Sequence, residues 1–309
     1  MATKFGIEFE MMNITGNEVL AAIVGAGAEM PAEVFGYHSN AAPDCNSGQF
    51  HMMSDSSING STCTMTRKGS VELVSPILNG EFDLRMINRI LTALNNSGAS
   101  VDRSCGTHIS VGLNGKQRWE RMSVSKKADV ANRIVAFYNY YQPVFDAISP
   151  NCRRQGSDEM SVPLRSARPV YQDGSASGGR YSVINLAHYI TYGRIEFRQV
   201  GMTLDKKKVA MWLKVINSMV SMALNENHVS RTMTLEDMPK TLTGFVTFLG
   251  IGPSLEKTLR DRILHMAQTY RGQRAERYEI LSIAFCGECG RWPPASAGCG
   301  CESCDTELV

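Results

Sequence analysis

The stretch Lys4-Phe5-Gly6-Ile7-Glu8-Phe9-Glu10 decides the fold. Phe5, Ile7 and Phe9 fall on one parity; Gly6, Glu8 and Glu10 fall on the other. Successive side chains of a strand point to opposite faces, so this spacing predicts a strand. One face carries the apolar set toward a core, and the other stands two carboxylates side by side. Like charges this close repel unless a cation lies between them, and hard divalent ions such as magnesium take carboxylate oxygens. The solvated acidic face of an amphipathic strand has the same alternation. Recurrence of the pattern favours a site. In GRIEFR, residues 193–198, Ile195 and Phe197 share one face while Arg194, Glu196 and Arg198 share the other.

Outward from these two stretches, Val71–Val74 reads as a strand carrying Glu72. Residues 107–113, THISVGL, form another, with Thr107, Ile109 and Val111 on one parity and His108 and Ser110 on the other. Shorter strands are expected near 34–38 and 49–54, and residues 181–186 and 193–200 read as a hairpin. Helical spacing marks 16–30, 116–149 (kinked at Pro143), 206–224 (capped by Asp205), 242–249 and 254–274. It also marks 82–96, through Phe82, Met86, Ile90, Leu91 and Leu94. Residues 151–180 read as a long loop with Arg153, Arg154, Arg165, Arg168 and Arg180 and no lysine. That usage fits either bidentate recognition of carboxylate or phosphate, or a solvated loop.

The chain has 309 residues, enough for one large domain or two ordinary ones. With 43% hydrophobic and 20% charged residues it can bury a sizeable core. A net charge of +2 supplies no global field that would demand nucleic acid or a membrane as partner. No apolar run has transmembrane length, and no signal-peptide pattern precedes the first strand, so the cytoplasm is the expected location.

Of nine cysteines, five crowd the C-terminal end: Cys286, Cys289, Cys299, Cys301 and Cys304. Two C-x-x-C pairs, Cys286 with Cys289 and Cys301 with Cys304, supply the four thiolates of a structural zinc site, and Cys299 can substitute for Cys301. A closed four-Cys site leaves no open position for catalysis. The expected organisation is a catalytic domain over 1–279 and a zinc-ribbon-like tail over 280–309. Trp292, Pro293 and Pro294 of the tail offer a contact surface for nucleic acid or protein, or simply pack the ribbon.

Six motifs then occur in a recognisable order: FGIEFE (5–10), DSSI (55–58), VELVSPIL (71–78), CGTHISVG (105–112), RYSVINL (180–186) and RIEFR (194–198), followed by a helix with Trp212. In these the chain resembles the amidoligase family, a branch of the carboxylate–amine ligases similar to glutamate–cysteine ligase and glutamine synthetase. The resemblance implies an α+β fold of the glutamine synthetase-like kind, a curved, mainly antiparallel sheet with helices on its convex face. It implies ATP and Mg2+ as cofactors, with Zn2+ added by the tail. A substrate carboxylate would be phosphorylated and its acyl phosphate attacked by an amine, both substrates being small molecules or peptides.

Under the resemblance Glu8, Glu10, Glu72 and Glu196 are the magnesium set, and His108 adds a ligand or a phosphate contact. Arg198 stabilises the γ-phosphoryl group, and Asp55 binds the amine or a metal. Arg180, Tyr181, Asn185 and Ser110 are candidates for nucleotide or substrate contacts. One departure is His108-Ile109-Ser110 where relatives carry H-x-H, which puts a hydroxyl in place of an imidazole. Two other readings are a phosphotransferase of the same superfold and a degenerate nucleotide- or partner-binding module with a zinc ribbon. The intact acidic set argues against degeneration, and Ser110 argues for it.

Overall fold

The computed structural model describes residues 4–28, 32–35, 48–113, 117–157, 159, 164–171, 174–176, 179, 181–201, 203–225 and 235–282. Arg180 and the cysteine pairs of the tail lie outside these residues.

The first stretch forms the central strand β1, Lys4–Ile14. Around it stand β2 (Ala32–Phe35), β3 (His51–Met53), β4 (Gly69–Val74), β5 (Leu78–Asn79), β6 (Thr107–Gly112), β7 (Ile184–Asn185) and β8 (Arg194–Phe197). The order across the sheet is β2-β3-β4-β1-β6-β8-β7, and β5 pairs the start of β1. Only β2 and β3 run parallel; the other named pairs are antiparallel. This is the mixed architecture of helices and antiparallel sheet that the resemblance implies.

The helices are α1 (Gly16–Gly25), α2 (Gly80–Asn96), α3 (Gln117–Glu120), α4 (Val124–Tyr140), α5 (Gln142–Ile148), α6 (Tyr189–Tyr192), α7 (Lys206–Leu224), α8 (Leu242–Leu249), α9 (Pro253–Thr269) and α10 (Arg274–Ile280). The odd-numbered face of β1, Phe5, Ile7, Phe9 and Met11, joins the apolar stripes of α2, α4, α5 and α7 in one continuous core. Burying each such side chain contributes roughly 1.5–3 kcal/mol. The opposite face of the sheet is left for polar residues. Among the described residues no helix is long and apolar enough to cross a membrane.

Several boundaries differ from the expectation, each for a local reason. The 116–149 stretch is three helices. Its main break falls at Tyr141, which puts Pro143 in the first turn of α5, where a missing N–H costs nothing. The 181–200 hairpin holds the short helix α6, closed by Gly193 in the left-handed region at φ 63°. Helix α1 stops at Gly25, short of residue 30. Phe82, assigned to the stripe of α2, is 72% exposed, because the buried stripe begins only at Ile87. Asp205 caps α7 by accepting from the Lys207 amide at 2.8 Å.

The 254–274 helix ends at Thr269, and α10 follows a single 3-10 turn. Within α10, Arg277 is buried and donates to the carbonyls of Ala147 (3.2 Å) and Ser149 (3.4 Å) and to Asn151 Oδ1 (3.2 Å). Burial lowers its pKa to about 10, which still leaves it charged at neutral pH. One guanidinium thus satisfies carbonyls at the end of α5 that would otherwise be orphaned. It also fixes the chain as it enters the 3-10 turn Asn151–Arg153.

This packing separates two phenylalanines of similar sequence context. Phe9→Ala, at 0% exposure, should cost about 3–5 kcal/mol. Phe82→Ala should stay within about 0.5 kcal/mol of the parent. Urea unfolding of both variants checks the pair, and equal losses would contradict the assignment of faces.

Candidate active site

The antiparallel register lays the chemically active residues out in rows. Glu10 of β1 faces Glu72 of β4, and Glu8 faces His108 of β6. Ser110 stands between Gly6 of β1 and Glu196 of β8, and Asn185 of β7 lies opposite Glu196. Because side chains alternate along each strand, all of these share the face opposite the core. Glu10, His108 and Glu196 are only 4%, 6% and 6% exposed, which rules out a merely solvated acidic surface for this part of the sheet.

His108 is the hub of the contacts. Its Nδ1 lies 2.9 Å from Glu8 Oε2 and 3.8 Å from Glu196 Oε1, and its Nε2 lies 3.8 Å from Glu10 Oε1. Burial, followed by the positive Arg198, brings the His108 pKa down to about 4, so the imidazole is neutral at pH 7. Glu196 is held from two sides: Asn185 Nδ2 donates to its Oε2 at 2.9 Å, and the Arg198 guanidinium donates to its Oε1. Glu10 Oε2 accepts the Gly106 amide at 2.5 Å and lies 3.9 Å from Arg153 Nη2. Asp55, at the edge of the cluster, accepts the Ser57 amide at 2.7 Å, and its charge bears on both Glu8 and Glu72.

These contacts do not neutralise the cluster. Burial first, then Glu8, Glu10 and Asp55, pushes the Glu72 pKa up to about 9. Glu8 is also raised by burial, against the pull of Arg198 and Arg194. A carboxylate forced to keep its proton at neutral pH marks a place that lacks positive charge. The donor chemistry fits a hard divalent cation: ligand atoms of Glu8, His108 and Glu196 all lie within 4.8 Å of one another. Carboxylate oxygens with one imidazole suit magnesium or manganese.

Two arginines escaped selection from the sequence. Arg153 was only one of several loop arginines, yet it is 3% exposed and reaches Glu10 and the Ser104 carbonyl. A faint signal was Gly106 in CGTHISVG: a Cβ there would stand 2.5 Å from Arg153 Nη2, so the glycine makes room for the guanidinium. Arg194 shares the parity of Glu196, which GRIEFR already displayed, and its charge reaches Glu8. The Nε atoms of Arg153 and Arg198 are buried without a partner among the described residues. Tyr181 is exposed at 40%; its carbonyl accepts the Arg165 amide at 2.8 Å, and it is not among the contacts of the carboxylate cluster given above.

The proton on Glu72 sets a pH dependence. In the folded chain its pKa is about 9 against an ordinary 4.5, so across this range the folded state binds more protons than the unfolded state. Stability therefore falls as pH rises. His108, with a folded pKa of about 4 against 6.5, acts in the opposite sense below pH 6.5. The clean window is thus pH 6.5 to 9. In EDTA the melting temperature should fall across it; magnesium should flatten the slope, and so should Glu72→Gln without metal. A slope indifferent to both would contradict a cation at this cluster.

Comparison with known proteins adds four findings. A bifunctional glutathione synthetase from Pasteurella multocida is similar in structure at 15% identity and a TM-score of 0.44; the match covers 90% of this chain and 49% of that one. The chain thus spans about half the length of that protein. A novel glutamine synthase homolog is similar at 13% identity and a TM-score of 0.37, covering 89% of this chain and 68% of that one. No curated protein sequence matches the chain. Residues 1–131, which supply Glu8, Glu10, Asp55, Glu72 and His108, match the family described as "Putative amidoligase enzyme".

Proposed function

We propose that the protein is an ATP- and magnesium-dependent carboxylate–amine ligase that forms an amide, isopeptide or peptide-like bond. The observation that carries the reading is the single sheet face on which Glu8, Glu10, Glu72, His108, Glu196 and Arg198 meet, short of positive charge. The family match over 1–131 supports the ligase class.

ATP enters as a substrate. An oxygen of the substrate carboxylate attacks the γ-phosphorus, and the bond to ADP breaks. The amine nitrogen then attacks the acyl carbon, loses a proton, and inorganic phosphate leaves. Magnesium, when bound, neutralises phosphate charge and aligns the transferring group. Glu8, Glu10, Glu72 and Glu196 would hold it. Asn185 and Arg198 fix the orientation of Glu196, and the Gly106 amide and Arg153 fix that of Glu10.

Arg198 is anchored through Nη1 on Glu196, and its side chain is 18% exposed, so the exposed part of the guanidinium would meet phosphate oxygens. Its charge is fixed and its planar fork matches two such oxygens. Neutral His108 holds one proton between its Nδ1 and Glu8, keeping that carboxyl turned into the cluster. Asp55, at the edge, would bind the incoming amine or a metal. Ser110 presents a hydroxyl next to Glu196, where it donates to substrate or nucleotide.

A screen of carboxylate–amine pairs for ADP release, with mass spectrometry of the product, tests the reading. Release should require both substrates. Release of ADP to a stable phosphorylated product without any amine would instead make the protein a phosphotransferase. In Arg198→Lys the charge stays but the fork is lost. Its kcat should fall on the order of 10²-fold or more with a smaller change in nucleotide affinity. Near-normal turnover would remove Arg198 from the chemistry. A large loss of melting temperature at unchanged turnover would make it a structural partner of Glu196.

A further inference from the structure

Beside the carboxylate cluster, the same sheet face opens into a cleft of about 470 Å³. This is within the roughly 300–1,000 Å³ of small-molecule sites. Its floor is a run of minimal side chains: Gly6 of β1 and Ser110 and Gly112 of β6. Glycine at position 6 is not demanded by the fold. A Cβ there would come no closer than 3.9 Å to its neighbours, and the backbone is not in the left-handed region. A strand interior gains from a β-branched residue, so glycine here forgoes stability and leaves volume.

One wall is the segment after β4, pinned to β1 because Ser75 Oγ accepts the Ile7 amide at 2.9 Å and donates to the Pro76 carbonyl at 2.9 Å. It offers Pro76 and Ile77, the latter 44% exposed. The facing lip carries Tyr192 of α6, 60% exposed, with the His188 ring 5.9 Å from it. Four residues along β1 from Glu8, Lys4 and Arg194 flank the side-chain-free Gly112 in one cross-strand row, from which the Arg194 charge still reaches Glu8. Neither cation has a carboxylate within ion-pair distance among the described residues. From Glu8 to Lys4 along β1 is about 13 Å, at roughly 3.3 Å per residue.

We propose that this cleft seats the body of the carboxylic acid substrate, and that the substrate is an acid with an apolar body and a second anionic group at its far end. The assignment of the near end rests on the ligase reading, which places the activated carboxylate at the Glu8 cluster. The apolar walls take the body, and Lys4 and Arg194 take the second anion. A nucleoside would put a neutral base beside these two cations and leave their charge unanswered.

Calorimetric titration of the full chain with magnesium, using straight-chain α,ω-dicarboxylic acids and the monocarboxylic acids of equal length, tests this. The best diacid should bind about tenfold or more tightly than its monoacid. Arg194→Gln should shrink that difference, and the double variant with Lys4→Gln should abolish it, with monoacid affinity left in place. Gly6→Val should weaken acids of both kinds by about tenfold or more without lowering the melting temperature. If that variant does not fold, Gly6→Ala replaces it, with a smaller loss expected. Equal affinity for diacids and monoacids, or binding indifferent to residue 6, would overturn the proposal. So would Gly6→Val weakening a non-hydrolysable ATP analogue and not the acids. The titration involves no turnover. Diacid binding with this pattern in a protein that never releases ADP would therefore keep the cleft and overturn the ligase reading alone.

Discussion

The structure turns on the crowding of carboxylates on one face of a sheet, Glu10 and Glu196 buried and Glu8 and Glu72 half-buried, where desolvation and then mutual repulsion disfavour their charge. Glu8, Glu10, Glu72 and Glu196, with Asp55 at the edge, are placed where water cannot screen them well. Removing a charge from water costs several kcal/mol unless it is paired and hydrogen-bonded. The fold meets part of that cost with Arg198, Arg153, Asn185 and the Gly106 amide. It does not meet all of it: burial, then the neighbouring carboxylates, pushes the Glu72 pKa up to about 9. Under the proposed function, that shortfall is what a cation would fill, and it would link the fold to its chemistry.

The rest of the molecule keeps the cluster from relaxing. Strand β1 is central, with β4 on one side and β6 on the other, so Glu8 and Glu10 cannot move without breaking two ladders. Its odd-numbered residues are locked in the core. Far along the chain, Arg277 ties α10 to the end of α5, and the turn that follows α5 delivers Arg153 to Glu10. Helix α10 therefore reaches the site through backbone carbonyls and one buried guanidinium, though none of its residues is near the sheet in sequence.

Parity made much of this legible in the sequence. KFGIEFE and GRIEFR each display their two faces without any knowledge of partners, and THISVGL places His108 and Ser110 together. Which strand lies beside which was not legible from alternation. That Glu10 meets Glu72 and Glu8 meets His108 depends on register, set by long-range packing and turns. Arg153 was hidden because a loop arginine carries no periodicity; only Gly106, across the fold, records its presence. Phe82 misled because an apolar residue in the first turn of α2 fits the helical spacing before the helix has reached the core. Helix α6 was missed because four residues are too few to show a period.

In the proposed function, the one face carrying Glu8, Glu10, Glu72, His108 and Glu196 would hold the divalent cations of the reaction. Crystals grown with manganese and a non-hydrolysable ATP analogue, measured at the manganese absorption edge, test it most directly. Anomalous peaks are expected within coordinating distance of the Glu8 and Glu196 carboxylates, with the terminal phosphate between the metal and Arg198. Manganese bound only elsewhere, or a cluster that stays free of metal beside bound nucleotide, would contradict it.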